Sequence, residues 1–104
     1  YVLNEDGSVL KIRRSVVDTA FSIAGTPTPE NQINSPMKIF TDVDTTTIFV
    51  FDKTENRVIE YSKTGQYKRQ FVADKEIEIS DFAVNEKMQK IWLLSGNNIY
   101  ELDM

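Results

Sequence analysis

One unit recurs along this 104-residue chain: a short apolar strand, a polar turn, a second apolar strand and another turn. It is present in Tyr1-Val2-Leu3 with Val9 to Ile12, in Ile48 to Phe51 with Val58 to Tyr61, and in Ile91 to Leu94 with Ile99 to Leu102. Aligning Tyr1, Phe49 and Trp92 spaces the units by about 45 residues, a period of repeats that carry four strands each. Short apolar runs bounded by polar turns are strand signals, and no segment shows a sustained helical period. A chain patterned this way has to bury its strands in antiparallel sheets packed on one another.

The fold class this implies is all-β, with β-propeller blades formed by antiparallel four-stranded sheets. The propeller is incomplete, because closure takes at least about four blades and the chain holds about two and a half. Residues 1–25 read as a partial blade. There Tyr1 to Leu3 and Ser8 to Arg13 form a hairpin around Asp6-Gly7, and Val16-Val17 with Ala20 to Ala24 forms an outer strand. Thr26 to Pro36 holds all three prolines and opens the next unit as a surface connection. Residues 26–72 read as the complete blade, with strands Met37 to Thr41, Thr46 to Phe51, Val58 to Ser62 and Tyr67 to Val72. Residues 73–104 read as a partial last blade, with strands Glu78 to Asn85, Lys90 to Leu94 and Asn98 to Asp103, and Val72 to Ile79 has room for one helical turn. The continuous apolar runs Ile48 to Phe51 and Ile91 to Leu94 are expected to be covered on both faces, which makes Phe49 and Trp92 core residues. A different architecture, a stand-alone sandwich of about ten strands, would set those two runs across a single core. The chain has no Met at position 1 and opens inside an apolar strand. The expectation is therefore the C-terminal part of a longer protein, which needs its parent's remaining blades or self-associates through open edges.

Composition narrows the function classes. Hydrophobic residues at 40%, aromatics at 11% and only four glycines fit a folded domain. A net charge of −4 offers no positive field for phosphate backbones, so nucleic acid is not expected as a partner. No cysteine and no histidine are present, which removes thiolate nucleophiles, imidazole bases and the usual ligands of transition metals. No apolar run approaches the roughly 20 residues of a spanning helix, and no cofactor or metal site is expected.

The candidate ligand-binding residues are Asp52 and Arg57, which bracket a turn and would form a polar patch at the end of the hairpin. The simpler reading is that Asp52 pairs with Arg57 and locks the hairpin. Asp42-Val43-Asp44-Thr45-Thr46 has the alternating oxygens of a calcium loop, but Thr47 stands where the loop needs glycine and Lys53 where it needs a bidentate glutamate. Trp92, Tyr61, Tyr67 and Tyr100 have rings that stack on sugars or bases, yet core packing explains Trp92, and a shared packing role explains Tyr61 and Tyr100. Lys11, Arg13 and Arg14 form a short basic group without interleaved aromatics, which reads as a solvated edge. Thr26-Pro27-Thr28-Pro29 reads as a proline-stiffened loop.

One stretch carries a family resemblance. Gly25, Asn34-Ser35-Pro36-Met37-Lys38-Ile39, Ile48-Phe49-Val50-Phe51-Asp52, Asn56-Arg57-Val58-Ile59-Glu60-Tyr61 and Gly65-Gln66-Tyr67 together resemble the NHL-type repeat of six-bladed β-propellers. The match covers roughly residues 25 to 72; in the flanking units Asn4 and Ser95 stand where the repeat has Asp, and the Asn-Arg pair is missing. The resemblance implies a propeller and leaves the ligand open, since such propellers bind peptides, RNA and carbohydrates or act as lyases and lactonases. It also implies a bacterial surface or membrane-anchored parent. The function expected is a non-catalytic binding or scaffolding module for a protein or other ligand. The alternative is part of a propeller hydrolase or lyase whose catalytic residues lie in other blades.

Overall fold

The computed structural model describes residues 1–27, 33, 36–42, 45–74 and 76–104. Thr28 and Pro29 of the proline segment, Asn34 and Ser35 of the repeat motif, and Val43 and Asp44 of the acidic turn lie outside the described residues. The described chain is all-β: β1 (Val2–Leu3), β2 (Val9–Leu10), β3 (Ile12–Arg13), β4 (Val16–Val17), β5 (Pro36–Phe40), β6 (Thr47–Asp52), β7 (Arg57–Ser62), β8 (Tyr67–Val72), β9 (Asp81–Asn85), β10 (Lys90–Ser95) and β11 (Asn98–Asp103). They form four separate antiparallel sheets: β1-β2, β3-β4, a four-stranded meander β5-β6-β7-β8 and a three-stranded meander β9-β10-β11. Among the described residues no helix is long and apolar enough to cross a membrane.

The four-stranded sheet is the centre of the molecule. Every residue of β6 is buried, which its β-branched and aromatic composition makes favourable, because both faces of the pleat meet apolar neighbours. On one face Phe49, Phe51 and Val58 pack with Ile79, Phe82, Ile91 and Leu93 of the three-stranded sheet and the segment leading into it. Phe51 and Phe82 meet edge to face with ring centroids 6.4 Å apart. On the other face Ile48, Val50, Ile59 and Tyr61 pack with Val9 and Ile33, and Tyr1 and Leu3 lie against the same cluster. Burying each large apolar side chain stabilises the fold by about 1.5–3 kcal/mol, so β6 and β7 hold most of the core energy. Although β6 and β10 do share one core, the second core behind β6 makes the arrangement a stack of layers. A two-sheet sandwich has no such second core.

Polar contacts tie the layers together. Lys38 Nζ donates to Asp81 Oδ1 at 2.6 Å and to the Phe82 carbonyl at 3.2 Å, joining β5 to β9. At the opposite end of these sheets the Thr46 N–H donates to Glu86 Oε2 at 2.8 Å, and the Thr46 hydroxyl bonds to the same carboxylate.

Several expectations are corrected. Ser8 to Arg13 is not one strand: it breaks at Lys11, whose carbonyl accepts the Asp18 N–H at 2.8 Å, and β3 folds back onto β4 through Arg14 and Ser15. Both turn residues have positive φ, 50° and 66°, the conformation that lets a two-residue hairpin match strand twist. Ala20 to Ala24 is not an outer strand either. Ala24 makes a single parallel bridge beside Gln66, donating to the Gly65 carbonyl and accepting from the Tyr67 N–H, so the segment docks on the next sheet. The last sheet starts at Asp81 and not at Glu78, because the Ile79 N–H is taken by Asn56 Oδ1. Val72 to Ile79 forms no helix among its described residues, only a turn in which the Ile77 N–H meets the Asp74 carbonyl.

Candidate functional site

Asp52 ends β6 and Arg57 starts β7, and the two face each other across the ladder. Arg57 Nε and Nη2 both donate to Asp52 Oδ2, at 3.1 and 3.0 Å. Arg57 Nη1 donates to Gln70 Oε1 on β8 at 3.2 Å and to the Pro27 carbonyl at 3.3 Å. The side chains are 1% and 0% exposed, so the pair is an internal clamp joining β6, β7, β8 and the incoming loop. A ligand at the surface does not reach either charge.

What does reach solvent is the rim beyond the clamp. The β6–β7 turn and the β10–β11 turn border one open polar cleft of about 560 Å³, lined by Lys53, Glu76, Glu78, Ser80, Ser95 and the Gly96-Asn97-Asn98 turn. Asn56 holds the segment that borders it. This residue sits at φ 51°, which aims its amide at the segment entering the last sheet. Nδ2 donates to the carbonyls of Asp74 and Ile77 at 3.0 and 2.5 Å, and Oδ1 accepts the Ile79 N–H at 3.1 Å. One side chain thus fixes where Glu76, Glu78 and Ser80 stand. The cleft offers carboxylates, an ammonium, hydroxyls and amides, a set that binds through hydrogen bonds and charge. It contains no thiol or imidazole to act as nucleophile or base.

The aromatic candidates separate. Tyr61 is fully buried and its hydroxyl is 2.6 Å from Thr26 Oγ1; burial pushes its pKa up, against the pull of that hydrogen bond. Tyr67 packs against the same cluster. Tyr100 is 37% exposed, so the shared packing role expected for Tyr61 and Tyr100 does not hold. Trp92 is not in the core: β10 turns Ile91 and Leu93 inward, while Trp92, Leu94, Ala83 and Ile99 line a shallow apolar hollow of about 200 Å³ on the far face. The expectation for Trp92 fails because no layer covers that side of β10 among the described residues.

In the acidic turn, the Asp42 carbonyl accepts Lys63 Nζ at 2.8 Å and the Thr45 hydroxyl at 2.9 Å. No group of three metal-ligating side chains occurs among the described residues. Arg13 and Arg14 are exposed, and Lys11 Nζ lies 5.7 Å from the centre of the Tyr1 ring. The Asn56 anchor was missed in the sequence, where its only trace is the Asn-Arg pair beside a turn. Compared with family models, curated proteins and solved structures, the chain has no match.

Proposed function

We propose that the chain is built from β-propeller blades and serves as a non-catalytic binding module, taking its ligand at the loop end that carries the Glu76–Glu78–Lys53 cleft. The observation that carries this reading is the equivalence of successive units. Tyr1 and Leu3 lean toward the second layer, Phe49 and Phe51 toward the third, and Trp92 and Leu94 away from it, so the same repeat positions point the same way each time. Stacking of this kind brings the turns between corresponding strands to one end, as the shared cleft beside the β6–β7 and β10–β11 turns illustrates. Radial repetition with ligand-facing loops is what propellers use. The lack of imidazole and thiol chemistry in the sequence favours binding over turnover.

The test is an NMR titration of the isotope-labelled chain with peptide and oligosaccharide libraries. Shift changes gathered on residues 76–80 and 95–98 are the expected result. Turnover of any library member would overturn the non-catalytic reading, and a silent cleft would overturn the choice of site.

A further inference from the structure

Every residue from Ile12 to Val17 is exposed, so the β3–β4 hairpin stands clear of both cores. Its ladder has two residue pairs, Ile12 with Val17 and Arg13 with Val16. One further backbone bond closes its base, from the Asp18 N–H to the Lys11 carbonyl at 2.8 Å. At the tip Arg14 and Ser15 hold φ of 50° and 66°, a conformation that strains a residue with a Cβ and that such hairpins fill with asparagine and glycine. Opening the hairpin therefore gives up few bonds, releases a strained tip and uncovers no core.

Those properties are what a protease needs. It has to take its substrate as an extended run, and cutting concentrates at exposed tips whose local opening is cheap. Arg13 and Arg14 add selection by side chain, because an acidic specificity pocket takes a guanidinium. Neither has a carboxylate partner among the described residues. A tip carrying two guanidiniums favours water over an apolar cover. The other described lysines and arginines beyond residue 14 are placed differently. Each lies in a strand of five or six residues, or in a turn between two such strands, so an extended run around it would have to be drawn out of the main sheets.

We propose that the Arg14–Ser15 peptide bond is a cleavage site for an arginine-directed protease, and that the cut protein stays together as two chains. Water supplies the atoms. Its oxygen bonds to the Arg14 carbonyl carbon, the C–N bond breaks, Arg14 is left with a carboxylate, and the Ser15 nitrogen takes up a proton as a new amino terminus. Both pieces keep their own anchors. Before the cut, Val9 is buried in the core of Ile48, Val50, Ile59 and Tyr61, and Tyr1 and Leu3 pack on the same cluster. After it, Ala24 stays bonded to the Gly65 carbonyl and the Tyr67 N–H. The Tyr1 and Phe21 rings meet edge to face across the cut, with centroids 5.4 Å apart. The hairpin shares no residue with the polar cleft, so this inference goes beyond the binding reading and does not depend on it.

The probe is trypsin at low ratio to the native full chain, sampled over time by intact mass and by gel filtration. The first products expected are residues 1–14 and 15–104, eluting together. Arg14→Gln should slow cutting of this bond by at least about 100-fold, since a pocket built for a guanidinium is left unpaired. Ser15→Gly keeps Arg14 and relieves one positive φ, so it should slow the first cut roughly fivefold by holding the hairpin closed. Peptides copying residues 11–18, with and without Ser15→Gly, correct that rate for the protease's own preference. A first cut of the unaltered chain at any other lysine or arginine, or simultaneous cuts across the main sheets, would overturn the proposal. So would an unaltered rate in Arg14→Gln, a corrected rate in Ser15→Gly equal to that of the unaltered chain, or loss of residues 1–14 on gel filtration.

Discussion

Replacing Asp52 by Asn changes no shape and removes one charge, which makes the internal clamp directly measurable. The Arg57 guanidinium is 1% exposed, and two of its N–H groups point at Asp52 Oδ2. In Asp52→Asn these N–H groups face a neutral amide, and water does not reach the cation to compensate. The neighbouring Gln70 Oε1 and Pro27 carbonyl accept from Nη1. Removing one partner of a buried ion pair costs about 3–5 kcal/mol, a large share of the about 5–15 kcal/mol that holds a small domain together. Asp52→Leu with Arg57→Met removes both charges and refills the space with apolar atoms, and it is expected to lie within about 2 kcal/mol of the unaltered chain. Urea denaturation of the parent, Asp52→Leu, Arg57→Met and the double variant at neutral pH closes the cycle. A loss below about 1 kcal/mol in Asp52→Asn, or a double variant whose loss is the sum of the singles, would refute the clamp.

Three further outcomes follow from the packing. Phe49→Ala, on a side chain buried between two layers, should cost about 3–5 kcal/mol, whereas Trp92→Ala should cost clearly less because one face of β10 is open; thermal melts that rank them the other way would contradict the layer assignment. Gly65→Ala should lose at least about 2 kcal/mol, since φ is +96° and an added Cβ would sit 2.0 Å from the Ser22 carbonyl oxygen, while Gly96→Ala, at φ +58° with open space around it, should lose about 1 kcal/mol; equal denaturation midpoints would remove the close approach. Tyr61 keeps its proton when folded at a pH where the unfolded chain loses it, so its contribution is whole below about pH 10 and falls as pH rises through the raised value. Tyr61→Phe should flatten the alkaline decline in stability, and an unchanged slope would count against burial as the cause.

The strands of the two meander sheets could be read from the sequence because their patterns are local. An unbroken run such as Ile48 to Phe51 has few other uses, and Asp52 and Arg57 are near enough along the chain for a turn to join them. What escaped depends on information the local pattern does not carry. Trp92 sits in a run as apolar as that of Phe49, but burial depends on whether a layer lies beyond, and that is a property of the stack. The β3–β4 hairpin turns through Arg14 and Ser15 without the glycine or asparagine that marks such turns. Asn56 acts on carbonyls 17 to 21 residues downstream, so nothing in its own neighbourhood announces it.

Stability and contact capacity are separated in this molecule. Within the β5–β8 sheet, β6 and β7 are covered on both faces, so substitutions there act on folding. The β9–β11 sheet has one covered face and, among the described residues, one open apolar face around Trp92, Leu94 and Ile99. That face exposes apolar side chains to water and gains from any shape-matched apolar cover in proportion to area.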